Sequence, residues 1–571
     1  MNCPSEIPTP LSNHGCEKAE KKLKTRCVRE GGLPLTSTIR RTLLKRLIGS
    51  GIQVTPDALE YILDLEKPSE AVESIIVNHI SDELPPVLSE EHLKALLQMK
   101  VETEEITPKI EQSTDESAHR DSMGTNEPLQ SNDRSWDIRV LKNPDSDSVG
   151  SGGSVEDFLD LFNDRFNRIK EIYMNRIDTQ SSLSPLVAQN RRNDADNWEA
   201  SRNRGERSRR PVHKVIGIVK KKWTSSSKYA NVTLEDPDGY IRCIIPTRQR
   251  GRNDHNLLEK SNSLLLDEVV CLSGHINRDG KLIANDILFP DIPTTREFGR
   301  ANHTVYAAFI SDIHFGSKEF LADDFEQFID WLRGVDVDES KKDVVRNIRY
   351  LFIAGDLVDG IGVYPNQRDD LLIPDIYDQY AELADKLRRI PERVKIFCIP
   401  GNHDACRQAL PKPPIPEKFA SPLYDLGNQI MMLGDPCQVV VEGVTILMTH
   451  GDSLDDLVTT IPGVSYKEPA EPMKHLLRKR HLAPYYGGKT QLAPLPRDWM
   501  VIDTPPDIVH FGHAHHNAID RYRSVRIINS GTFQDQTEFM RKQGIKPTPG
   551  IVSIVNLRTG VPDYEVFHDY R

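Results

Sequence analysis

Acidic, imidazole and amide side chains collect in five short clusters in the second half of this sequence. The clusters are SDIH at 311–314, GDLVD at 355–359, GNHD at 401–404, HGD at 450–452 and GHAH at 512–515. Carboxylate, imidazole and amide donors together suit divalent ions such as Mn²⁺, Fe²⁺ or Zn²⁺. None of the five contains cysteine, which argues against a purely thiophilic site. The sequence therefore predicts a divalent metal centre.

Each cluster directly follows a short apolar run of the kind that forms a buried strand. The runs are YAAFI, YLFIA, VKIFCIP, TILMT and DIVHF. Helical stretches such as DDFEQFIDWLR lie between them, which favours a layered α/β sandwich. Sites in such folds form beyond the carboxyl ends of the strands, so we expect the five clusters to meet there.

The spacing inside the clusters favours two ions held together. Two metals about 3.5–4 Å apart need a shared carboxylate, and Asp356, in a glycine-preceded turn, is the expected bridge. In an extended segment residues i and i+2 point the same way. We therefore expect Asp312 to converge with His314, and His513 with His515.

Two further histidines lie in the same dense stretch, VHFGHAHHNA at 509–518. His510 falls within the apolar strand, and His516 follows the last cluster directly. We interpret both as structural histidines whose nitrogens find hydrogen-bond partners inside the fold.

Residues 213–295 contain five short β-rich runs separated by turn signals, which predicts an OB-like β-barrel. Barrels of this type often bind single-stranded nucleic acid, but few aromatic side chains are available for stacking. Nucleic-acid contact and a purely structural role both stay open. Between Arg202 and Lys222 the chain carries nine Lys or Arg against one Glu. That run is either a solvated segment or an arm that tracks phosphates.

The region before the barrel divides into five parts by composition and period. A disordered tail is expected at 1–35 and a small helical module, suited to docking, at 36–100. An acidic, disordered linker is expected at 101–153, followed by an amphipathic helix at 154–176 that Ser154 and Asp157 open as a capping box. A basic linker at 177–212 leads to the barrel, and residues 300–571 form the metal-binding domain.

Length and composition limit the class of protein. A chain of 571 residues is too long for one core. Its eight cysteines include no C-x-x-C pair, which argues against a zinc ribbon and a disulfide framework. No apolar run approaches the ~18 residues of a membrane span, and the N-terminus lacks a signal-peptide core. We expect a soluble, cytoplasmic protein with no membrane partner.

The five clusters, in this order, resemble the signature of the calcineurin-like metallophosphoesterases. Longer segments resemble the small-subunit family of the archaeal family D DNA polymerases, from about residue 213 to the C-terminus. The segments include VHKVIGIVKKK, FISDIHFGSKEF, FIAGDLVDGIGVYPNQ, IPGNHDACRQALPKPP, MTHGDSLDDL and INSGTFQDQTEFM. The module at 36–100 resembles that family's N-terminal domain, whereas 1–34 and most of 101–200 carry no such signal.

The resemblance implies a set of seven metal ligands. One ion would be held by Asp312, His314 and His515, the other by Asn402, His450 and His513, with Asp356 shared. Mn²⁺ is the first choice of metal, with Fe²⁺, Zn²⁺ or Mg²⁺ as alternatives.

The resemblance also implies a catalytic residue that is not a ligand. His403 would stabilise the transition state or protonate the leaving 3′ oxygen, and Asp404 would orient it. The loop at 364–367 would border the substrate.

In that family the small subunit supplies a 3′→5′ proofreading exonuclease, and a separate large subunit supplies nucleotidyl transfer. The resemblance thus implies DNA 3′ ends as the substrate and a large catalytic subunit as the partner. Two alternatives remain: a metallophosphatase of the same superfamily that needs no nucleic acid, and a non-catalytic assembly subunit.

Overall fold

The computed structural model describes residues 53–54, 61–62, 87–88, 136–204, 209–224, 229–246 and 252–570. The chain forms two compact units, 1–125 and 126–571. In the first, strands β1 (Gln53–Val54) and β2 (Val87–Leu88) pair in parallel, which the sequence did not predict. The expected tail at 1–35 and most of the expected helical module at 36–100 lie outside the described residues.

The second unit opens with a strand where the sequence predicted a disordered linker. Strand β3 (Ile138–Lys142) lies inside the expected linker 101–153 and pairs antiparallel with residues 438–441. The prediction of disorder is wrong here because the apolar residues of IRVLK form too short a run to stand out from the polar segment around it, and three of the five residues are exposed. Its stability comes from hydrogen bonding to a distant strand, which composition does not reveal.

Helix α1 (Val155–Met174) confirms the predicted amphipathic helix and its capping box. The Ser154 side chain accepts from the Asp157 backbone, and the Asp157 side chain accepts from the Ser154 backbone. The buried face carries Leu161, Phe166, Ile169 and Tyr173, together with Arg165.

The expected basic linker 177–212 contains two helices, so that prediction is wrong for this part. They are α2 (Pro185–Gln189), which Ser184 caps, and α3 (Asn193–Asn203). The sequence did not predict helix α3, because this helix buries only Ala195 and has no apolar face. Residues 205–208 of the basic run lie outside the described residues.

A closed five-stranded barrel follows, as the sequence predicted. Its strands are β4 (His213–Thr224), β5 (Ala230–Asp236), β6 (Gly239–Ile245), β7 (Val269–Ile276) and β8 (Leu282–Leu288). The order around the barrel is β4-β5-β6-β8-β7, and helix α4 (Arg252–Asn262) connects β6 to β7. The assignment of this barrel to the OB type stays a prediction.

Residues 300–571, where the sequence predicts a metal site, consist of alternating strands and helices. In chain order they are β9 (Tyr306–Ile310), α5 (Ala322–Arg333), α6 (Lys342–Arg346), β10 (Ile348–Ala354), α7 (Ile376–Leu387), β11 (Lys395–Ile399), α8 (Glu417–Tyr424), β12 (Ile430–Met432), β13 (Cys437–Val441), β14 (Val444–Met448), α9 (Leu454–Thr460), α10 (Ala470–Lys479), β15 (Ile508–Phe511), β16 (Ala518–Tyr522), β17 (Val525–Asn529), α11 (Glu538–Gln543), β18 (Ile551–Asn556) and β19 (Pro562–Val566). The five predicted strands are all present.

Two six-stranded sheets form the centre of this domain. One has the order β12-β11-β10-β9-β18-β19 and the other β16-β17-β15-β14-β13-β3. Strands β9 to β12 run parallel in the first sheet, as do β14, β15 and β17 in the second. The barrel therefore does not simply precede this domain, because β3 enters the second sheet before the barrel begins.

Aromatic side chains fix the relative positions of the three central parallel strands. The ring of Phe352 on β10 stacks on Phe309 of β9 at 5.2 Å and on Phe397 of β11 at 4.7 Å. These residues pair directly across the strands and lie in the core between the two sheets. Helices α5 and α7 cover the outer face of the first sheet, and α9 and α10 that of the second. The predicted layered sandwich is confirmed.

Candidate metal centre

The five predicted clusters come together just beyond the carboxyl ends of β9, β10, β11, β14 and β15. All seven predicted ligands lie in these loops. Within the described part of the chain, four sets of ligand atoms are close enough to hold an ion: Asp312–His314–His515, Asp312–Asp356–His450, His314–Asp356–His403 and His450–Asp452–His513.

Asp312, His314 and His515 form one buried group. Nε2 of His314 lies 3.1 Å from Nε2 of His515, which in turn lies 3.3 Å from Oδ1 of Asp312. Two imidazole nitrogens this close repel each other unless a shared proton or a cation lies between them. Nδ1 of His515 is buried with no hydrogen-bond partner, so Nε2 is the nitrogen engaged in the site.

Asn402, His450 and His513 form a second group beside the first. The amide oxygen of Asn402 lies 2.9 Å from Nε2 of His450 and 3.1 Å from Nδ1 of His513. Asp452 is also near and pairs with the buried ammonium of Lys412 at 2.8 Å. The sequence placed Asp452 in a cluster but assigned it no role.

Asp356 lies between the two groups. Its Oδ2 is 3.6 Å from Nε2 of His314 and 3.3 Å from Nε2 of His450. Its Oδ1 accepts a hydrogen bond of 2.8 Å from the backbone of His403. One carboxylate oxygen thus faces both groups, which is the position that a bridging ligand requires.

The convergence of neighbouring ligands arises differently from the prediction. Asp312, His314, His513 and His515 all have positive φ, at 51°, 50°, 64° and 53°. These loops are therefore not extended. Asp312 and His314 meet because the backbone coils through left-handed residues, whereas His513 and His515 do not converge as predicted and enter different ligand groups. Such conformations cost roughly 1–3 kcal/mol each and persist where the surrounding structure enforces them, typically at functional sites.

Gly401 is required by the close approach of the loops after β10 and β11. A Cβ at this position would lie 2.1 Å from Oδ1 of Asp356. Any side chain here would displace the carboxylate that joins the two groups.

Hydrogen bonds on the outer sides of the rings orient two of the histidines. Nδ1 of His314 bonds to Oδ1 of Asp359 at 3.0 Å, and Nδ1 of His450 donates to the carbonyl of Ala354 at 2.8 Å. In the neutral ring each bond places the proton on Nδ1 and leaves the Nε2 lone pair directed into the site.

His513 is held in the same way by a residue that the sequence analysis missed. Its Nε2 bonds to Oδ1 of Asp455 at 3.0 Å, which leaves Nδ1 for the site. Asp455 in turn accepts from the hydroxyl of Tyr466 at 2.7 Å. The acidic pair after HGDSL was the available signal, but it reads as an ordinary helix N-terminus.

The acidic surroundings hold protons on two of these rings. Burial alone would lower the pKa of His450, but the charges of Asp356 and Asp312 raise it to about 10. Burial opposes the same change at His314, where the hydrogen bond to Asp359 and the charge of Asp356 raise the pKa to about 8. Positive charge is therefore favoured here, and the seven donors suit divalent cations.

His403 and Asp404 follow the prediction only in part. Nδ1 of His403 bonds to the carbonyl of Asp359 at 2.8 Å, and its ring packs edge-on to that of His314 at 4.6 Å. The carboxylate of Asp404 instead accepts from Gly401, Leu357 and the Tyr380 hydroxyl. Asp404 therefore braces the loop, and the carbonyl of Asp359 is what orients His403.

The two remaining histidines of the dense stretch lie outside the ligand groups. His510 is buried on β15, with Nε2 2.7 Å from the hydroxyl of Ser530 and its ring against Phe309. Nδ1 of His516 bonds to the carbonyl of Ala514 at 2.8 Å. These contacts agree with a structural role, but Nδ1 of His510 is buried without a hydrogen-bond partner, contrary to the expectation that both of its nitrogens are satisfied.

The loop at 364–367 has two functions in the structure. Gln367 is buried and donates to the carboxylate of Asp359 at 3.0 Å, while the ring of Tyr364 lies 6.4 Å from that of His403. The loop therefore supports the orientation of the site as well as bordering it.

Comparison with known proteins places the chain in a family. A family model for the B-type subunits of DNA polymerases alpha and epsilon matches residues 307–519. The DNA polymerase II small subunit of Archaeoglobus fulgidus is 40% identical over 402 residues, which cover 70% of this chain and 75% of that protein. The protein of the same name from Halobacterium salinarum is 32% identical over 539 residues, 92% of this chain and 98% of that one.

The chain belongs to the DNA polymerase II small-subunit family. Another member, from Methanothermobacter thermautotrophicus, is 37% identical over 425 residues, 74% of this chain and 82% of its own length. A solved archaeal phosphodiesterase is 14% identical and superposes with a TM-score of 0.24 over 46% of this chain and 99% of that one. A score of that size carries no argument about the fold. Within the described residues, no helix is both long and apolar enough to cross a bilayer.

Proposed function

We propose that this family member is the small, proofreading subunit of a heterodimeric DNA polymerase. Its metal centre would act as a two-metal 3′→5′ exonuclease on single-stranded or mismatched DNA 3′ ends. The names of the relatives support the polymerase subunit, and the ligand geometry supports the hydrolase. The OB-like type of the barrel, the calcineurin-like type of the sandwich and a cytoplasmic location belong to the same proposal.

One observation carries the proposal: the position of Asp356. A single carboxylate oxygen faces imidazole nitrogens from both ligand groups, at 3.6 and 3.3 Å. A site for a single metal would need only one of the two donor groups that flank Asp356. A shared carboxylate between two donor groups is what two-metal phosphodiester hydrolysis needs.

The residues divide the chemistry between them. Asp312, His314 and His515 would hold one ion and Asn402, His450 and His513 the other, with Asp356 between them. Two such ions, when bound, polarise a phosphodiester and lower the pKa of a water that attacks it. Mn²⁺ is the metal we favour, with Fe²⁺, Zn²⁺ and Mg²⁺ as alternatives.

His403 would serve the leaving group. Its Nδ1 is occupied by the Asp359 carbonyl, so Nε2 is the nitrogen available to a substrate. Burial lowers the pKa of His403 against the opposing charge of Asp356, so the neutral ring, with its proton on Nδ1, is favoured before substrate binds. We propose that the anionic phosphodiester favours a second proton on Nε2, which the ring then donates to the departing 3′ oxygen.

A large partner subunit would carry nucleotidyl transfer. Synthesis requires carboxylates that hold Mg²⁺ beside the incoming nucleotide. Across the described ranges, every group of three or more potential ligands belongs to the one imidazole-rich centre. We expect the purified chain to extend no primer, and synthesis to appear only when the large subunit is added.

Degradation of 5′-labelled single-stranded DNA by the purified full-length chain with Mn²⁺ tests the proposal. Products shortened stepwise from the 3′ end, with release of nucleoside 5′-monophosphates, are expected. Rapid hydrolysis of p-nitrophenyl phosphate without cleavage of DNA would support a phosphatase instead. A chain that purifies with no metal and cleaves neither substrate would support an assembly subunit.

A further inference from the structure

A cleft of about 490 Å³ opens beside His403. Its apolar walls come from the loop after β10 and from helices α7 and α8, with Ile361, Val363, Ile376 and Phe419 among the lining residues. Clefts that hold small organic ligands have volumes of roughly 300–1,000 Å³ and are mostly apolar. The cleft therefore has the size and lining of a ligand site, next to the proposed proton donor.

Lys418 is the charged lining residue whose side chain is exposed at the cleft. Asp404 lines it, but both carboxylate oxygens are engaged by Tyr380 and by backbone amides. The guanidinium of Arg407 is likewise held by main-chain carbonyls. Lys418 is exposed, with Nζ 4.8 Å from the centroid of the Phe419 ring. A planar aromatic group joined to an anion fits this combination.

Two exposed apolar side chains lie at or next to the rim of the cleft. Ile361 is 49% exposed, and nearby on α7 Tyr377 is 53% exposed, with its ring 5.9 Å from that of Phe419. Exposed apolar groups gathered around a cleft mark a surface that a ligand covers. An aromatic side chain such as Phe419 can stack with any nucleobase, because every base has a π-face, and aliphatic neighbours such as Ile361 add apolar contact.

We propose that this cleft binds the nucleobase of the terminal nucleotide at an unpaired DNA 3′ end. The inference rests on the proposed function and adds a basis for its selectivity. A base can enter the cleft only after it leaves the duplex stack, which costs least for a mismatched or frayed end. The cleft would thus select the ends that the metal centre degrades.

The test uses the full-length chain with Mn²⁺ and two oligonucleotides that end in thymidine or in an abasic residue. The wild type should cleave the thymidine end about tenfold faster, as expected for one stacked base. Ile361→Ala should remove most of this preference while cleaving the abasic end normally. Ile177→Ala, which alters an isoleucine that is 90% exposed and outside the cleft lining, should keep it.

Binding of thymidine 5′-monophosphate separates this inference from the exonuclease proposal. If the wild type cleaves DNA but treats both ends alike and Ile361→Ala changes nothing, the cleft assignment is overturned and the exonuclease stands. If the wild type cleaves neither end yet binds the nucleotide several-fold more tightly than Ile361→Ala does, the cleft assignment stands and the exonuclease fails.

Discussion

The carboxylate of Asp359 holds the imidazole of His314 through a 3.0 Å hydrogen bond to Nδ1. Two glutamine amides donate to the same carboxylate, Gln534 to Oδ1 at 3.1 Å and Gln367 to Oδ2 at 3.0 Å. Asp359 thus accepts three hydrogen bonds at once, and the ring that it orients is a ligand of the proposed centre.

Asp359→Asn should weaken metal binding without removing a ligand. An amide in this position must point an N–H group at one of the three donors, so the set of hydrogen bonds that orients His314 is weakened. We expect about a 10- to 100-fold lower metal affinity, with activity partly restored at high Mn²⁺ concentration. Metal titration of the variant measures this, with Asp369→Asn on an exposed residue as the control. An unchanged metal affinity would show that Asp359 does not orient His314 for metal binding.

Asp356→Ala should abolish nuclease activity and the binding of at least one ion. The carboxylate faces both ligand groups, so neither group is complete without it. We expect the fold to survive, because the change also removes buried negative charge. Elemental analysis and circular dichroism measure the two effects. Near wild-type cleavage of DNA with added Mn²⁺ would contradict the two-metal assignment.

His403→Ala should separate catalysis from metal binding. If the ring acts on the leaving group, the variant keeps both ions and its affinity for DNA but loses kcat by about 10²–10⁴-fold. The atoms of His403, His314 and Asp356 also lie close enough to share an ion. Metal loss as large as that of His513→Ala would therefore identify His403 as a ligand.

Metal binding should release protons at neutral pH. Burial opposes charge on both rings, but the surrounding carboxylates raise the pKa of His450 to about 10 and that of His314 to about 8. Both rings are thus protonated at pH 7 without metal, and a ligand nitrogen must be deprotonated. Metal affinity should rise as the pH increases from 6 to 8. Calorimetric titration in buffers of different ionisation enthalpy measures the protons released.

Arg165→Ala should destabilise the second unit far more than an exposed change does. The Arg165 guanidinium on α1 is fully buried and bonds to Asp498 at 2.7 Å. Removal of one partner of a buried pair costs about 3–5 kcal/mol. Lys542→Ala, which breaks the exposed pair with Glu538, should cost less than about 1 kcal/mol. Urea unfolding of both variants provides the comparison, and equal midpoints would show that Arg165 is dispensable.

The ligands could be found from the sequence because each lies directly after an apolar strand. Apolar runs predict strands, and parallel strands bring their carboxyl ends together, so Asp312, Asp356 and His450 could be placed in one site. The residues that orient them could not be found in this way. Asp455 and Gln534 reach the site from a helix and a distant loop, and only the folded chain shows which ring each one contacts.

The backbone conformation of the site was the second feature that the sequence could not predict. The D-x-H and H-x-H spacings predicted convergence, but the left-handed backbone at His314 and His515 follows from the packing of neighbouring loops and not from residue preference. Two elements with little burial were missed for a related reason. Strand β3 is only five residues long, and helix α3 buries only Ala195, so neither gives a pattern long enough to predict it.

The pairing of β3 with β13 makes the barrel an insertion within the sandwich. The chain first supplies an edge strand to the second sheet, then builds α1 and the barrel, and only afterwards returns to complete the sandwich. A fragment that starts at residue 300 would lack this strand and expose the hydrogen-bonding edge of β13, a surface that invites aggregation. The sandwich is thus contiguous in space but not along the chain, and no single cut can separate it intact from the barrel.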